Sequence, residues 1–270
     1  MIKQSLTALG LVTVVLMQFS VESAMAQDSE PDWSFSVDIG WAWRDIDGTI
    51  FDYTPPVTGV ATTDSLGLGT SSEPQASFGV RWKQLMVDFV YLPSKFTGDG
   101  FLLEAIDFGN GPVIGNTDPI TSDIEVEMFL ANVEYDLLKR GDMDLGVGIG
   151  LGTVNLDIVM TPASATGVTI IGNVPFGYLT STFVKRWDKF AATFGLQGIS
   201  VTIDDYSITY KSVNIAGNYR LMERGRFNLS VAGGYRYVEF DYSFDDDTSG
   251  VKTYTAFELT GPYIGLQGAW

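Results

Sequence analysis

The segment Trp33–Trp43, WSFSVDIGWAW, decides the fold class of this chain. Its odd-numbered residues are Trp, Phe, Val, Ile, Trp and Trp, whereas its even-numbered residues are Ser, Ser, Asp, Gly and Ala. Because successive side chains of a β-strand point to opposite faces, this alternation puts a wholly apolar row on one face. The length is close to the roughly 9–11 residues that a tilted strand needs to cross a membrane. A strand of a soluble sandwich would also bury such a face, so the fold class depends on repetition.

The same alternation recurs along the chain. Apolar rows occur in Phe78–Trp82, Leu85–Tyr91, Ile124–Leu130, Leu145–Leu151, Phe190–Leu196, Val213–Leu221 and Phe227–Tyr237, and Val174–Val184 is mixed on both faces. In three segments the apolar row changes parity, near Gly152, Gly198 and Gly261-Pro262. Since a one-residue β-bulge restores the facing, and Gly and Pro tolerate bulges, we predict a bulge at each of these places.

The connections between the rows alternate between short and long. Short turns are predicted at Lys83–Gln84, Lys139–Asp142, Lys185–Lys189 and Met222–Arg226, and longer loops at Asp45–Pro74, Pro93–Ser122, Thr161–Asn173 and Asp245–Lys252. Short periplasmic turns and long external loops are typical of outer-membrane barrels. The pattern predicts an all-β fold, a closed antiparallel transmembrane β-barrel of about ten strands. Eight or twelve strands remain open, because the first two long loops have room for a hairpin.

The N-terminus predicts export. Lys3 precedes an apolar stretch, Leu6–Phe19, and Ala24-Met25-Ala26 closes it with small residues. This order is typical of a cleaved signal peptide at residues 1–26. The stretch is shorter than the roughly 17–25 residues of a membrane anchor helix. We expect residues 27–270 to form a single barrel domain, although the length would also allow two small domains. The absence of Cys excludes a lipoprotein anchor and disulfides.

The charge and the apolar content of the chain indicate which kinds of partner to expect. The net charge is −17, which disfavours nucleic acid, yet 45% of the residues are hydrophobic and 13% are aromatic. An acidic but apolar chain fits a barrel whose apolar residues face lipid. Aromatic rings with a polar tip favour the lipid–water boundary. The residues predicted at that membrane interface are Trp33, Trp41, Trp43, Trp82, Trp187 and Trp270.

The last segment, ELTGPYIGLQGAW, resembles the C-terminal strand signal of outer-membrane barrels, which the barrel-assembly machinery reads. Tyr263, Gly265 and Trp270 match that signal, whereas Gly268 stands where an apolar residue is usual and Trp replaces the commoner Phe. The whole pattern resembles the small outer-membrane barrel superfamily with OmpA- and OmpW-like architecture. The resemblance implies the outer membrane of a Gram-negative bacterium. The resemblance extends to the architecture only and assigns a role to no residue.

The chain contains no His. The enzymatic barrels to which it could be compared, omptin proteases, outer-membrane phospholipase and lipid A acyl-modifying enzymes, depend on an active-site His. We therefore expect no enzyme, no cofactor and no metal centre. Glu125 with Glu127 is the carboxylate pair that a hydrolase would have to use. The loop DDDTSG from Asp245 lacks the ligand spacing of a calcium loop.

Charged residues are predicted on the inward face of the barrel. The lumen network comprises Arg44, Arg81, Asp88, Glu134, Arg220, Arg236 and Glu258, together with Asp38, Asp136 and Asp157. Buried charges must be paired or wetted, so the set either fills the lumen or lines a narrow, cation-preferring water path. The row Gly146, Gly148, Gly150 and Gly152 either leaves space in the lumen or receives bulky side chains from neighbouring strands.

Two functions follow from this pattern. The first is a small pore or structural envelope protein without catalytic machinery. The alternative is a surface binding protein or adhesin that acts through its acidic, aromatic-containing external loops. Expected partners are outer-membrane lipid and lipopolysaccharide, the latter bridged by divalent cations.

Overall fold

The computed structural model describes residues 33–53, 59–101, 119–163, 168–246 and 251–270. Its elements are β1 (Trp33–Tyr53), β2 (Gly59–Thr62), α1 (Thr63–Leu66), β3 (Ser71–Trp82), β4 (Leu85–Phe101), β5 (Pro119–Arg140), β6 (Met143–Pro162), β7 (Val168–Arg186), β8 (Phe190–Ile203), β9 (Tyr206–Arg224), β10 (Phe227–Asp246) and β11 (Val251–Ala269). Within these ranges no helix has the length and apolarity that a membrane crossing requires. The predicted signal peptide, residues 1–26, lies outside the described residues.

The strands close into a ring. Each strand from β3 to β11 pairs with the next one in antiparallel register, and β1 pairs with β3 on one side and β11 on the other. Over the described ranges the ring therefore contains ten strands, and the short β2 adds to the far end of β1. Closure leaves no sheet edge across the lipid, which is what a membrane-spanning sheet requires. The predicted closed antiparallel barrel is confirmed.

The strands run farther than the sequence pattern predicted. β1 continues to Tyr53, and β4 and β5 stay paired up to Phe101 opposite Pro119. Much of the predicted loops 45–74 and 93–122 is therefore strand. The short connections agree with the prediction, since β4 begins two residues after Lys83 and β10 begins after the turn at Gly225.

All three predicted bulges are wrong. β6 keeps its register with both neighbours through Gly152, and β11 shows no register shift at Gly261 with either neighbour. β8 keeps its register with β9 through Gly198, where its pairing with β7 ends. Because parity does not change, the apolar row moves from the outer face of each strand to the inner face. On β6, Leu151 is 50% exposed on the outside, whereas Val154 and Ile158 are 2% and 0% exposed inside the barrel.

The outer faces of the strands are apolar over one part of their length and polar over the rest. On β1 the outward apolar row ends at Trp43 and Asp45 follows it on the same face. The row spans about 33 Å along the strand at roughly 3.3 Å per residue, or about 25 Å vertically at a tilt of about 40°. That is the height of a lipid-facing band. Beyond it the outer face meets water, so apolar side chains are buried inward instead. We call these two parts the lipid half and the projecting half.

Two stretches of the ring are not fully paired. β3 and β4 pair only between Ala76 opposite Tyr91 and Trp82 opposite Leu85. β7 and β8 pair between Leu179 opposite Gly198 and Arg186 opposite Ala191, and the described residues show no β8 partner for the stretch of β7 from 168 to 178. β6 and β7 remain paired over that stretch. The wall of the projecting half is thus hydrogen-bonded on only one side of β7.

A small segment completes the wall between β1 and β4. Above the start of β3, α1 places Leu66 at 0% exposure in the interior. Its backbone lies against β4, where an added Cβ on Gly100 would come within 2.1 Å of the Ser65 carbonyl oxygen and one on Gly98 within 2.4 Å of the Leu66 carbonyl oxygen. Glycine at these two positions permits the close approach.

Candidate functional site

The interior of the lipid half is a hydrogen-bonded polar chamber. Asn132 Nδ2 donates to Asp88 Oδ2 at 2.6 Å, and Tyr178 Oη donates to Asn132 Oδ1 at 2.6 Å. Thr180 Oγ1 donates to Glu134 Oε1 at 2.6 Å. These links join three strands, β4, β5 and β7, and satisfy carboxylates that the barrel removes from bulk water.

Ion pairs surround the mouth at the short-turn end. Arg81 pairs with Asp136, whose side chain is 5% exposed, and Arg186 Nη2 lies 2.7 Å from Asp144 Oδ2. A cavity of about 470 Å³ opens there among these residues and Arg220. The mouth is therefore wide, charged and wet.

Two arginines lie deeper in the barrel without the carboxylate partners that the sequence suggested. Arg44, 5% exposed, donates to the Pro93 carbonyl oxygen at 2.6 Å and to Gln75 Oε1 at 2.6 Å. Arg236 lines cavities of about 190 and 220 Å³, and its guanidinium stands 5.9 Å from the Tyr263 ring centroid. Neutral acceptors thus bind Arg44, whereas Arg236 shares its cavities with the Asp38, Asp88 and Glu134 side chains.

The structure divides the predicted lumen network. Residues that lie on the inward face are Arg44, Arg81, Asp88, Glu134, Arg220 and Arg236, with Asp38 and Asp136. Glu258 and Asp157 lie on the outer face, so their assignment to the lumen is wrong. Glu258 stands opposite Glu239 and Asp47 in the strand register. The assumed parity switches caused the error, because they placed the wrong face inward beyond Gly152 and Gly261.

An aromatic layer crosses the lumen at the top of the polar chamber. Ring centroids are 4.7 Å apart for Phe176 and Tyr210, 5.1 Å for Tyr178 and Tyr210, and 5.7 Å for Phe176 and Phe240. Phe257 continues the layer 5.6 Å from Phe240. Tyr210 is 0% exposed and Phe240 is 2% exposed. The rings pack against one another inside the barrel at this level.

The glycine row on β6 receives these rings. A Cβ added to Gly150 would lie 2.3 Å from the Tyr178 ring, and one added to Gly152 would lie 2.6 Å from the Phe176 ring. Of the two interpretations that the sequence left open, the structure shows packing by bulky side chains at these two positions. The two glycines thus give the Tyr178 and Phe176 rings the space that they occupy.

The projecting half has an apolar core that the sequence interpretation missed. Fully buried residues there include Phe96, Ile124, Met128, Ile158 and Met160. A cavity of about 150 Å³ lies within this core. The parity change itself was the signal that could have revealed it, since a row that moves inward without a bulge marks a strand leaving the membrane.

Aromatic side chains ring the outer face of the barrel. Trp33 stacks on Trp82 at 5.7 Å, Phe35 stacks on Trp270 at 6.2 Å, and Trp187 contacts Phe190 at 5.4 Å. The six tryptophans that the sequence singled out, Trp33, Trp41, Trp43, Trp82, Trp187 and Trp270, are between 41% and 53% exposed. Their place at the membrane interface remains a prediction.

An acidic belt surrounds the outside of the projecting half. It consists of Asp47, Glu125, Glu127, Asp157, Glu239 and Glu258. Lys95 Nζ lies 2.6 Å from Glu125 Oε1, and Lys211 Nζ lies 2.5 Å from Glu239 Oε1. The hydrogen bond from Lys211 lowers the pKa of Glu239. Glu125 and Glu127 thus lie on the outside of the barrel.

No family model matches the sequence, and no curated protein matches it. Among solved structures, the chain is similar to the outer membrane protease OmpT from Escherichia coli, with 12% identity, a TM-score of 0.43, and coverage of 91% of this chain and 98% of that one. It is also similar to the outer membrane protein AlkL, with 12% identity, a TM-score of 0.37, and coverage of 93% and 96%.

The attachment invasion locus protein Ail of Yersinia pestis is similar at 9% identity, with a TM-score of 0.34 and coverage of 86% of this chain and 99% of that one. The closed ring of this chain and the apolar outer face of its lipid half define its class. It is a closed antiparallel transmembrane β-barrel.

Proposed function

We propose that this barrel is a structural component of the outer membrane with a closed lumen, and that it has no catalytic activity. The aromatic layer formed by Phe176, Tyr178, Tyr210, Phe240 and Phe257 carries the proposal. An interior of about eight strands is just filled by side chains, so a ten-stranded lumen is readily sealed by bulky rings. Water that enters the polar chamber from the short-turn end meets these rings before it reaches the apolar core.

Planar bilayer recordings test the closed lumen. Because the aromatic layer and the apolar core block hydrated ions, we expect the reconstituted mature protein to show no conductance steps above the lipid background. A heat-modifiable shift on a gel and protease resistance in the same lipid serve as the control for insertion. Regular steps from inserted, folded protein would refute the closed lumen and favour the narrow pore instead.

The positions of Glu125 and Glu127 give little support to a hydrolase that uses only carboxylates. Glu125 bonds to Lys95 on the outer face, and Glu127 accepts a hydrogen bond from Tyr91 Oη at 2.6 Å. Neither faces a cleft with a nucleophile. Hydrolytic turnover that disappears in Glu125→Gln while folding persists would contradict the non-enzymatic proposal.

We also propose that the acidic belt contacts lipopolysaccharide through divalent cations and that β11 is the strand read by the assembly machinery. The belt begins where the apolar outer face ends, at the level expected for lipid phosphates. Magnesium should raise the thermal stability of the wild-type protein in lipopolysaccharide vesicles, and Glu239→Gln with Glu258→Gln should reduce that gain. An equal gain in the double variant would exclude the belt as the contact.

A further inference from the structure

The cavity in the projecting half lies between side chains from both sides of the ring and is partly open. Leu156 and Ile158 of β6 and Val174 of β7 face Phe240 of β10 and Phe257 of β11 across it. Nine of the twelve lining residues are apolar or glycine, and the three others are one Tyr and two Thr. Such a lining offers a water molecule few of the two to four polar partners that it requires.

The size of the cavity indicates the class of ligand. An apolar cavity of about 150 Å³, made in another protein by removing a leucine side chain, stays dry and binds benzene or xenon. The cavity here has a volume of about 150 Å³. Ligand sites are usually concave, largely apolar and preformed, as this cavity is. The lining carries no formal charge, so it would leave an ionised ligand without a partner.

In the wall beside the cavity, β7 is paired with β6 but not with β8. Gly172 and Val174 belong to the stretch of β7 that has no β8 partner among the described residues. Small movements of this stretch break no hydrogen bonds on its β8 side. The strand can therefore admit a ligand at a low energetic cost.

We propose that this cavity is a binding site for a neutral, single-ring apolar molecule of about the size of benzene. The binding goes beyond the structural role proposed above, because it requires only the projecting half and is independent of conductance. Shape and dispersion contacts with Ile158, Phe240 and Phe257 hold the ring, and the aromatic layer below separates it from the polar chamber.

Gly172 provides a direct test. An added Cβ at Gly172 meets only Leu156 Cβ at 3.9 Å, so a larger side chain enters the cavity without a backbone clash. In nanodiscs, fluorobenzene should show fluorine-19 line broadening with the wild-type protein, and Gly172→Leu should weaken its binding at least tenfold. Gly177→Leu is the matched control, because Gly177 is exposed on the outer face of the same strand and its Cβ has similar free space. It should retain wild-type binding, and empty nanodiscs supply the partitioning background.

Equal broadening in the wild-type protein and Gly172→Leu would overturn the proposal, as would broadening no greater than in empty nanodiscs. If Gly172→Leu does not fold, crystals of the wild-type protein soaked with bromobenzene decide the question. Anomalous bromine density between Ile158 and Phe257 supports the site, and its absence from the cavity refutes it. Neither result depends on the conductance experiment. The closed lumen and the ligand site can therefore be refuted independently of each other.

Discussion

Gly150 and Gly152 make room for the aromatic layer because they lack side chains. Tyr178 and Phe176 occupy the space where Cβ atoms would stand, so the rings reach far enough across to meet Tyr210. Sequence alone showed four alternating glycines on one strand face but not what filled the space above them. Which side chains cross a lumen depends on the register and curvature of strands distant in sequence, here β7 and β9.

The ion pair between Arg81 and Asp136 is a residue-level feature with a measurable energy. Arg81→Met removes the partner of a carboxylate that is 5% exposed, while Arg81 itself is 25% exposed. Breaking a fully buried pair costs about 3–5 kcal/mol, and access to water at the mouth reduces this, so we expect a loss of about 2 kcal/mol. Urea unfolding of the protein in lipid vesicles measures the loss.

The control for this prediction is Asp136→Asn in the Arg81→Met background. Removing the second charge should recover most of the lost stability, because an unpaired carboxylate no longer remains in the wall. If the double variant is as unstable as Arg81→Met, lost packing of the arginine stem explains the effect and the ion pair contributes little.

At the scale of the element, β6 shows why strand faces were assigned wrongly beyond the middle of each strand. Its outward side is apolar through Leu151 and turns polar at Thr153, while its inward side changes from glycine to Val154. If the outside of the barrel met lipid along the whole strand, only a bulge could keep the apolar residues on the outer face. The strand in fact stays regular and the solvent outside it changes from lipid to water.

Two arginine substitutions on the outer face of β6 test this explanation. Ile149 and Val159 are both outward and similarly exposed, at 43% and 38%. Ile149→Arg places a charge in lipid and should destabilise the barrel by about 2–4 kcal/mol if it lies near the bilayer midplane, whereas Val159→Arg in the projecting half should cost less than about 1 kcal/mol. Urea unfolding in vesicles provides both values, and equal costs would show that both positions face the same solvent.

At the scale of the whole molecule, the barrel combines two kinds of β-protein in one continuous sheet. The lipid half has the apolar outside and polar inside of a membrane barrel, and the projecting half has the polar outside and apolar core of a soluble one. The aromatic layer lies where they meet. The acidic belt keeps the projecting half solvated, which accounts for the combination of −17 net charge and high apolar content.

The orientation of the barrel in the envelope can be tested with single cysteines, because the chain has none of its own. Thr161 is exposed at the end of the projecting half, and Lys189 is exposed in the short connection between β7 and β8. A membrane-impermeant maleimide should label Thr161→Cys but not Lys189→Cys in intact cells. Lysed cells, in which both variants should react, are the control. The reverse pattern in intact cells would place the projecting half in the periplasm.

Alternation in segments such as Trp33–Trp43 was enough to determine the antiparallel barrel, the approximate strand number and the short turns, because these depend on local periodicity and turn chemistry. The tertiary structure decided the rest: strand length, the outward position of Glu258, the aromatic layer and the apolar cavity. The physical reason is that an alternation with a period of two residues shows only that the two faces of a strand differ. Whether lipid, water or packed side chains lie against each face depends on the height of the residue in the closed ring, and the ring is formed by residues far apart in the chain.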